Sequence, residues 1–310
     1  MNLRQLKYFI GVVDAGNMTR GAEQLHVAQT ALGMQIRQIE EEIGVALLVR
    51  HSRGVEPTPA GKLLYSRAHD ILRLVEETRR EVAACEGDSV EAVRLGITPA
   101  LMLACGSDIA IAVRERLRGV SLSMVEAMSH VLVEMLSRGE VDLILCYDVP
   151  DLPQFSRTAL LQDELVLVTQ PDGRNGKPVA FADALDRNFA MPEEGDTVRS
   201  AVSRVARDLG LELKIIYEVR SVSAMKSLVN RGLASSILPY FSVADDVRNG
   251  TLDAQPITMP PIRRTLFLAA SKQRPQVRNE IGITGAIRTA LTGLMETLGP
   301  LAYPLWSKFD

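Results

Sequence analysis

The stretch Met18–Glu40, MTRGAEQLHVAQTALGMQIRQIE, decides how the N-terminal part of the chain folds. Asn17, just ahead of it, caps a short helix whose Met18, Ala22 and Leu25 share one face. His26 and Val27 leave room only for a tight connection. Leu32, Ile36, Ile39 and Ile43 then recur at helical spacing, and Gly44 follows as a stop. Upstream, Asn2 caps a helix carrying Leu3, Leu6, Phe9, Ile10 and Val13 inward, and Gly16 ends it. Three short helices, with a turn of a few residues between the second and third, make a helix-turn-helix. Ala22 is small where two helices cross closely.

The outward face of the third helix carries Gln29, Thr30, Gly33, Met34 and Arg37. Gln pairs in bidentate fashion with adenine, Thr bonds a base or touches a thymine methyl, and Arg reaches guanine or phosphate. Val45–Arg50 reads as a strand, His51–Gly54 as a turn and Val55–Pro57 as a returning strand. That is a β-wing with Arg50, His51 and Arg53 near its tip, suited to a phosphate backbone or a minor groove. The predicted contacts to double-stranded promoter DNA are therefore Gln29, Thr30, Met34, Arg37, Arg50 and Arg53.

Charge alone does not argue for nucleic acid. The whole chain has a formal net charge of −3. Residues 1–58 set Arg4, Lys7, Arg20, Arg37, Arg50 and Arg53 against Asp14, Glu23, Glu40, Glu41, Glu42 and Glu56. A DNA-binding reading requires the cations to gather on one face.

Thr58 caps the next helix, with Pro59 at its first position, where a missing N–H costs nothing. It is predicted to run to about Glu86 and stop at Gly87. Leu64, Ala68, Ile71, Val75, Thr78, Val82 and Cys85 alternate by four and three, a heptad seam that one helix cannot bury alone. Self-association through this linker, giving a dimer, is the expectation.

Leu3–Leu64 resembles the LysR-type transcriptional regulators. The matching features are L-x-x-F at Leu6–Phe9, A-x-x-L-H at Ala22–His26, Val27-Ala28-Gln29, and I-x-x-I-E at Ile36–Glu40. G-V-x-L-L at Gly44–Leu48, R-x-x-R-G-V at Arg50–Val55 and T-P-A-G at Thr58–Gly61 complete them. The departures are Ala28, Thr30, Gly33 and Met34, where members have Ser, Pro, Ser and Arg. Gly21 stands where members tend to have Ala. Ala28 cannot cap the third helix, Gly33 weakens it, and Met34 removes a cation.

From Val93 the pattern becomes α/β. Val93–Ile97, Leu122–Glu126 and Val141–Leu145 read as strands, with a helix from Thr98-Pro99 to Arg118-Gly119. Ser129 is predicted to cap another helix with Leu132, Val133 and Leu136 inward. A similar unit returns with Ile215–Val219, a helix capped by Ser221 or Ser223, and Ser235–Leu238. Both helices end in Arg-Gly, at Gly139 and Gly232. The alternation predicts two similar lobes built on mostly parallel sheet. Arg157–Thr169 reads as chain crossing between them, and Arg264–Ala270 as the return after a turn at Pro256–Pro261.

Two lobes joined by two crossings leave a cleft, lined by loops that open helices. The predicted effector-binding residues are Thr98, Pro99, Leu101, Ser129, His130, Tyr147, Thr197 and Ser223. The fold class expected is α+β and multidomain. It comprises a winged helix-turn-helix over 1–58, a linker helix over 59–88, and a two-lobed effector domain. Lobe 1 takes 89–162 and 266–310, and lobe 2 takes 163–265. The resemblance implies the same architecture, with a periplasmic-binding-protein-like effector domain and an inducer in the cleft. It further implies a homotetramer that bends DNA, and contact with RNA polymerase if the protein activates. Residues 299–310 gain no role from this reading.

Other function classes fit poorly. There is no Gly-rich phosphate loop, G-x-S-x-G, H-E-x-x-H or clustered Cys/His pattern, so neither an enzyme nor a cofactor or metal is expected. Of the four histidines, His26, His51 and His69 lie in the head and linker, and His130 stands alone. An exported solute-binding protein would need a signal peptide, and Arg4, Lys7 and Asp14 break the apolar N-terminus. No run of about 18 uncharged apolar residues suggests a membrane span. Cys85, Cys105 and Cys146, odd in number and widely spaced, suit a reducing cytoplasm.

Overall fold

The computed structural model describes residues 1–51, 54–84, 90–274 and 276–306. The predicted DNA contact Arg53, the last seam residue Cys85 and the predicted helix stop Gly87 lie outside the described residues. The chain forms two compact units. One is Met1–Ser89 with Arg138–Glu140, and the larger is Val90–Ser137 with Val141–Asp310.

The first unit runs α1 (Leu3–Ala15), α2 (Met18–Gln24), α3 (Gln29–Ile43), β1 (Leu48–His51), β2 (Gly54–Pro57) and α4 (Pro59–Ala84). Its boundaries follow from local chemistry. Asn2 Oδ1 accepts from Gln5 N at 3.0 Å while Gln5 Oε1 accepts from Asn2 N at 2.9 Å, a reciprocal capping box. Asn17 Oδ1 accepts from the amides of Thr19 and Arg20. Gly16 and Gly44 end α1 and α3 in the left-handed conformation, at φ 60° and 80°. Ala28 gives α3 no side-chain cap.

Phe9, Val12, Leu32, Ile36, Ile39 and Leu47 are buried to form the core of this unit. Each such side chain taken from water contributes about 1.5–3 kcal/mol. The buried stripe of α1 is Leu6, Tyr8, Phe9 and Val12. Leu3 is exposed and Ile10 and Val13 only half-buried, because α1 packs on α4 as well as on α2 and α3. Ile43, expected inward, is exposed at the last turn of α3. The first wing strand begins at Leu48 rather than Val45. Glu40 Oε1 accepts from the amides of Leu47 and Leu48 at 2.8 and 3.2 Å, which holds the approach in a turn.

Thr58 Oγ1 accepts from Gly61 N at 3.0 Å and donates to Ala46 O at 2.8 Å. The helix start is thereby pressed onto the wing. A Cβ at position 61 would stand 2.0 Å from the Leu47 carbonyl oxygen. The glycine of Thr58–Gly61 is required by this approach.

The second unit contains two lobes. The first lobe opens with β3 (Glu91–Ile97), α5 (Pro99–Arg116), β4 (Val120–Glu126), α6 (Ser129–Arg138) and β5 (Leu143–Tyr147). β6 (Phe155–Thr169) then crosses to the second lobe. There follow β7 (Val179–Ala180), α7 (Phe181–Ala184), β8 (Phe189–Met191), α8 (Thr197–Asp208) and β9 (Ile215–Glu218). α9 (Val222–Asn230), β10 (Ser236–Pro239), α10 (Ala244–Arg248) and β11 (Asp253–Thr258) complete that lobe. β12 (Arg263–Ser271) returns, and α11 (Glu280–Leu298) and β13 (Ala302–Pro304) end the chain.

β3 lies parallel between β4 and β5, whereas β12 is antiparallel to both β5 and β6. In the second lobe β10 and β11 run antiparallel to β6, while β7 with β11 and β8 with β9 are parallel. The sheets are thus mixed, not mostly parallel, because both crossing strands join them. Residues 256–258, expected in a turn, belong to β11. Pro256 falls where the ladder passes from β6 to β7, so its missing N–H is tolerated.

In the first lobe, α5 and α11 cover one face of the sheet and α6 the other. In the second, α7 and α8 pack on one face and α9 and α10 on the other. Gly139 and Gly232 both adopt positive φ, 72° and 71°, after their Arg. The tail belongs to both lobes. α11 sits in the core of the first, Leu301 enters a core of the second, and β13 pairs with β6 over Leu161–Asp163. No helix among the described residues is long and apolar enough to cross a membrane.

Alanine ordinarily outranks glycine inside a helix by about 1 kcal/mol. Gly61→Ala should reverse that sign and destabilise the first unit by roughly 2 kcal/mol or more, since a backbone oxygen cannot move aside cheaply. Urea unfolding followed by helical circular dichroism measures it.

Candidate functional sites

On the first unit, Gln29, Thr30, Met34 and Arg37 are exposed on α3, and Arg50 is exposed on β1. Gly33 lies among them, half-buried, its Cα side facing Met18. The even charge count resolves into an uneven distribution. Glu40 is engaged by the Leu47 and Leu48 amides, Glu42 by the terminal ammonium, Asp14 by the Tyr65 hydroxyl, and Glu56 by His51. Arg20, Arg37 and Arg50 form no ion pair among the described residues. Four of six carboxylates therefore serve the fold while three cations face outward.

In the second unit a cavity of about 80 Å³ lies between the lobes. Thr98, Pro99 and Ala100 at the start of α5, and Met128 and Ser129 at the start of α6, line it from the first lobe. Asp196, Thr197 and Val198 at the start of α8, with Arg220, Val222 and Met225, line it from the second. Tyr147 and Arg264 sit where the strands cross. Four helices thus begin at this cavity, as the α/β alternation predicts. α8 and α9 are closed by Asp196 and Ser221, but Thr98 makes no cap bond, leaving the α5 start open.

Of the eight predicted lining residues, five come together here: Thr98, Pro99, Ser129, Tyr147 and Thr197. Leu101, His130 and Ser223 do not. One helical position turns a side chain by about 100°, and each of these stands on the wrong side of that step. Leu101 is fully buried in the first lobe's core, while His130 and Ser223 are exposed. Ser129 is the first residue of α6, not its cap, and bonds the Cys146 thiol.

Arg264, Asp196 and Arg220 carry no sequence signal strong enough to place them here. Arg264 and Asp163 face each other across β6 and β12, 3% and 0% exposed. Arg264 Nε donates to Asp163 Oδ1 at 3.2 Å and Nη2 to Oδ2 at 2.6 Å. The Tyr147 hydroxyl donates to the same Oδ2 at 3.0 Å, and its ring lies 3.8 Å under the guanidinium carbon. Burial opposes the Arg264 charge most strongly, but the Asp163 carboxylate, through its charge and its hydrogen bonds, together with Tyr147 and Asp196, outweighs it and raises the guanidinium pKa. Burial, then the nearby Asp163 charge, lifts the Tyr147 phenol well above its usual value. Burial also raises the Asp196 carboxyl despite its bonds to the Val198 and Arg199 amides. Arg220 pairs with Glu193 at 2.7 Å. Both cations of the cavity are therefore already paired, in contrast to those of the head.

Burial pushes the thiols of Cys105 and Cys146 up to about 12, with Asp108 adding to the effect at Cys105. Neither is poised as a thiolate, and Cys85 lies outside the described residues.

Comparison with known proteins places these features. A profile described as "Bacterial regulatory helix-turn-helix protein, lysR family" matches residues 3–62, and one described as "LysR substrate binding domain" matches 86–280. The nitrogen assimilation regulatory protein nac of Klebsiella aerogenes is 32% identical over 240 residues, 77% of this chain and 78% of that protein. The transcriptional dual regulator OxyR of Escherichia coli K12 is 26% identical, covering 94% of this chain and 97% of its own. Among solved structures, full-length CbnR in complex with its target DNA superposes with a TM-score of 0.68 at 25% identity. It covers 94% of this chain and 100% of its own.

Two outcomes follow from the crossing. Asp163→Ala, which strands a buried guanidinium, should cost about 3–5 kcal/mol in urea unfolding. Asp163→Leu combined with Arg264→Met should recover most of that loss; if it does not, the pair contributes more than mutual neutralisation. Cys105 and Cys146 should alkylate in the native protein on the order of a thousandfold more slowly than a free cysteine, by mass spectrometry with iodoacetamide at neutral pH.

Proposed function

The chain belongs to the LysR-type DNA-binding transcription regulators, and we propose that α3 and the wing read promoter DNA while the inter-lobe cavity receives a small-molecule effector. The observation that carries the first half is the charge distribution of the head. Four of its six carboxylates are engaged within the head, while Arg37 on α3, with Gln29, Thr30 and Met34, and Arg50 on β1 are exposed and form no ion pair among the described residues. Gln29 and Thr30 contact base edges, Met34 makes apolar contact, and Arg37 and Arg50 bind phosphates or guanine. The uncapped start of α3 adds free amides for a phosphate. Arg53 belongs to the same set by its place in the wing sequence.

The protein acts as a dimer through α4. Of the seam, Leu64 is half-buried against the head's core and Ala68 fully buried, but Val82 is 64% exposed, and Leu63 and Leu74, on the same helix outside the seam, are 62% and 59% exposed. A single chain leaves that apolar surface uncovered, and a partner α4 would bury it. Two recognition helices then reach the half-sites of an inverted repeat. Membership of the family supports a dimer of dimers that bends DNA in the cytoplasm, with RNA polymerase as a further partner if transcription is activated.

The effector is bound by Thr98, Pro99, Ser129, Tyr147 and Thr197, with Arg264 at the floor and Asp196 at the start of α8. Its differential affinity for two lobe arrangements shifts the balance between them. Relatives include a hydrogen peroxide-inducible genes activator of Pectobacterium carotovorum. The buried, high-pKa thiols of Cys105 and Cys146 favour a bound molecule over thiol oxidation as the signal here.

Titration of promoter DNA at several salt concentrations, followed by fluorescence anisotropy, tests the head. Arg50→Ala should weaken binding to all sequences alike and reduce the log–log salt slope by about 0.9 for each phosphate no longer neutralised. Gln29→Ala should cost about 1–3 kcal/mol at one base step and leave non-specific binding intact. Equal losses on every sequence for both variants would refute this division.

A further inference from the structure

Three buried donors with no hydrogen-bond partner among the described residues lie in the second lobe, away from the inter-lobe cavity: Thr169 Oγ1, Arg187 Nε and Gln255 Nε2. Thr169 and Gln255 are 4% and 3% exposed. Across β6 and β11, Thr169 stands opposite Asp253 and Gln255 opposite Leu167. Alternate residues of a strand share a face, so Thr169 and Gln255 project to the side where Leu167, Phe181 and Leu185 pack. Arg187 follows Leu185 by two residues, at the same end of that core.

Buried donors are seldom left unmade. The neighbouring acids do not serve them. Asp253 Oδ2 accepts from the amides of Asp172, Gly173 and Arg174, at 2.9, 3.1 and 3.3 Å. Asp172 pairs with Arg174 at 3.5 Å. Arg187 has no counter-ion among the described residues.

Thr169 and Arg187 line a cavity of about 360 Å³ together with Gln170, Asp172, Asn188 and Ser235, and the Asp172 carboxylate in that wall is engaged by the Arg174 amide at 3.0 Å and its guanidinium at 3.5 Å. Its wall is fixed. Gln170 Nε2 donates to Asn230 O at 2.8 Å, and Gly232, at φ 71°, leaves room for that side chain. A Cβ at 232 would stand 2.7 Å from Gln170 Oε1. No residue of this cavity lines the one between the lobes. Its volume falls in the range of small-molecule pockets, roughly 300–1,000 Å³. Its chemistry, an unpaired guanidinium beside a buried hydroxyl, asks for an acceptor with negative charge.

We propose that this cavity is a second ligand site, taking the phosphate or carboxylate oxyanion of a small metabolite on Arg187 and Thr169. It gives the regulator an input separate from the inter-lobe cleft, and it stands whether or not an effector binds there.

Calorimetric titration of the full chain with inorganic phosphate, citrate and glycerol, in chloride buffer at matched ionic strength, tests it. Saturable binding of phosphate or citrate, with none for glycerol, is expected, and the better oxyanion identifies the headgroup. Arg187→Gln should weaken that binding about tenfold or more. Thr169→Val should weaken it several-fold, while in oxyanion-free buffer its Tm should equal or exceed that of the parent. Thr98→Val, in the other cavity, should bind as the parent does. The proposal fails if no oxyanion binds beyond the effect of chloride, or if Arg187→Gln binds unchanged. It also fails if Thr98→Val abolishes binding, which would place the anion between the lobes. A lowered Tm for Thr169→Val in oxyanion-free buffer would overturn it too, because the hydroxyl would then be bonded within the protein.

Discussion

The larger unit depends on one buried ion pair. Each lobe has cores of its own, and the lobes are joined by β6 and β12, which lie side by side where Arg264 meets Asp163. A charge pair so deep gains little net energy, because desolvation of both ions offsets their attraction. Its effect is on register. A slip of one residue between β6 and β12 would set Arg264 opposite Gln162 or Glu164, strand the buried Asp163 carboxylate, and turn every flanking side chain to the opposite face. The Tyr147 hydroxyl and ring add a third and a fourth constraint on the same carboxylate and guanidinium. β13 pairs along β6 up to Asp163, so the last strand of the chain rests on the same point. The cavity between the lobes takes its floor from this arrangement.

The head is organised differently, by many short-range bonds. Asn2, Asn17 and Thr58 fix helix starts, Gly16 and Gly44 fix ends, and Glu40 ties the end of α3 to the first wing strand. Each contributes about 1 kcal/mol. Together they set the angle at which α3 and β1 present their outer faces. Electrostatics and architecture are linked here, since the Glu40 carboxylate that holds the turn before the wing is thereby committed to backbone amides rather than left free to repel phosphate.

That difference explains what can be read from the residues alone. The head's elements rest on contacts a few positions apart, so spacing reveals them, and the winged helix-turn-helix, linker helix and two crossings all stand in the structure. The inter-lobe floor rests on partners 101 residues apart, Asp163 and Arg264, which no local pattern joins. By spacing, Arg264 is only the start of a strand. Leu101, His130 and Ser223 fall outside the cavity because a helix opening fixes which turn faces it but not which residue of that turn does. β11 is hidden because Pro256 reads as a turn, and β13 because three residues carry no periodicity. The local signal for Arg264 is a faint one: of the adjacent pair Arg263-Arg264, the one that borders the apolar run Thr265–Ala270 is a candidate for a buried pair.

The engaged carboxylates of the head bear on how proteins are sorted by global properties. This chain has a calculated isoelectric point near 5.9. Any classifier working from summed charge would file it with proteins repelled by polyanions. Summation treats ionised groups as interchangeable, and folding makes them unequal by assigning some to internal partners. The informative quantity is the charge remaining after the native pairings are subtracted, resolved by surface. Two sequences with identical amino-acid counts could stand on opposite sides of that measure, separated only by which glutamates lie opposite a backbone amide.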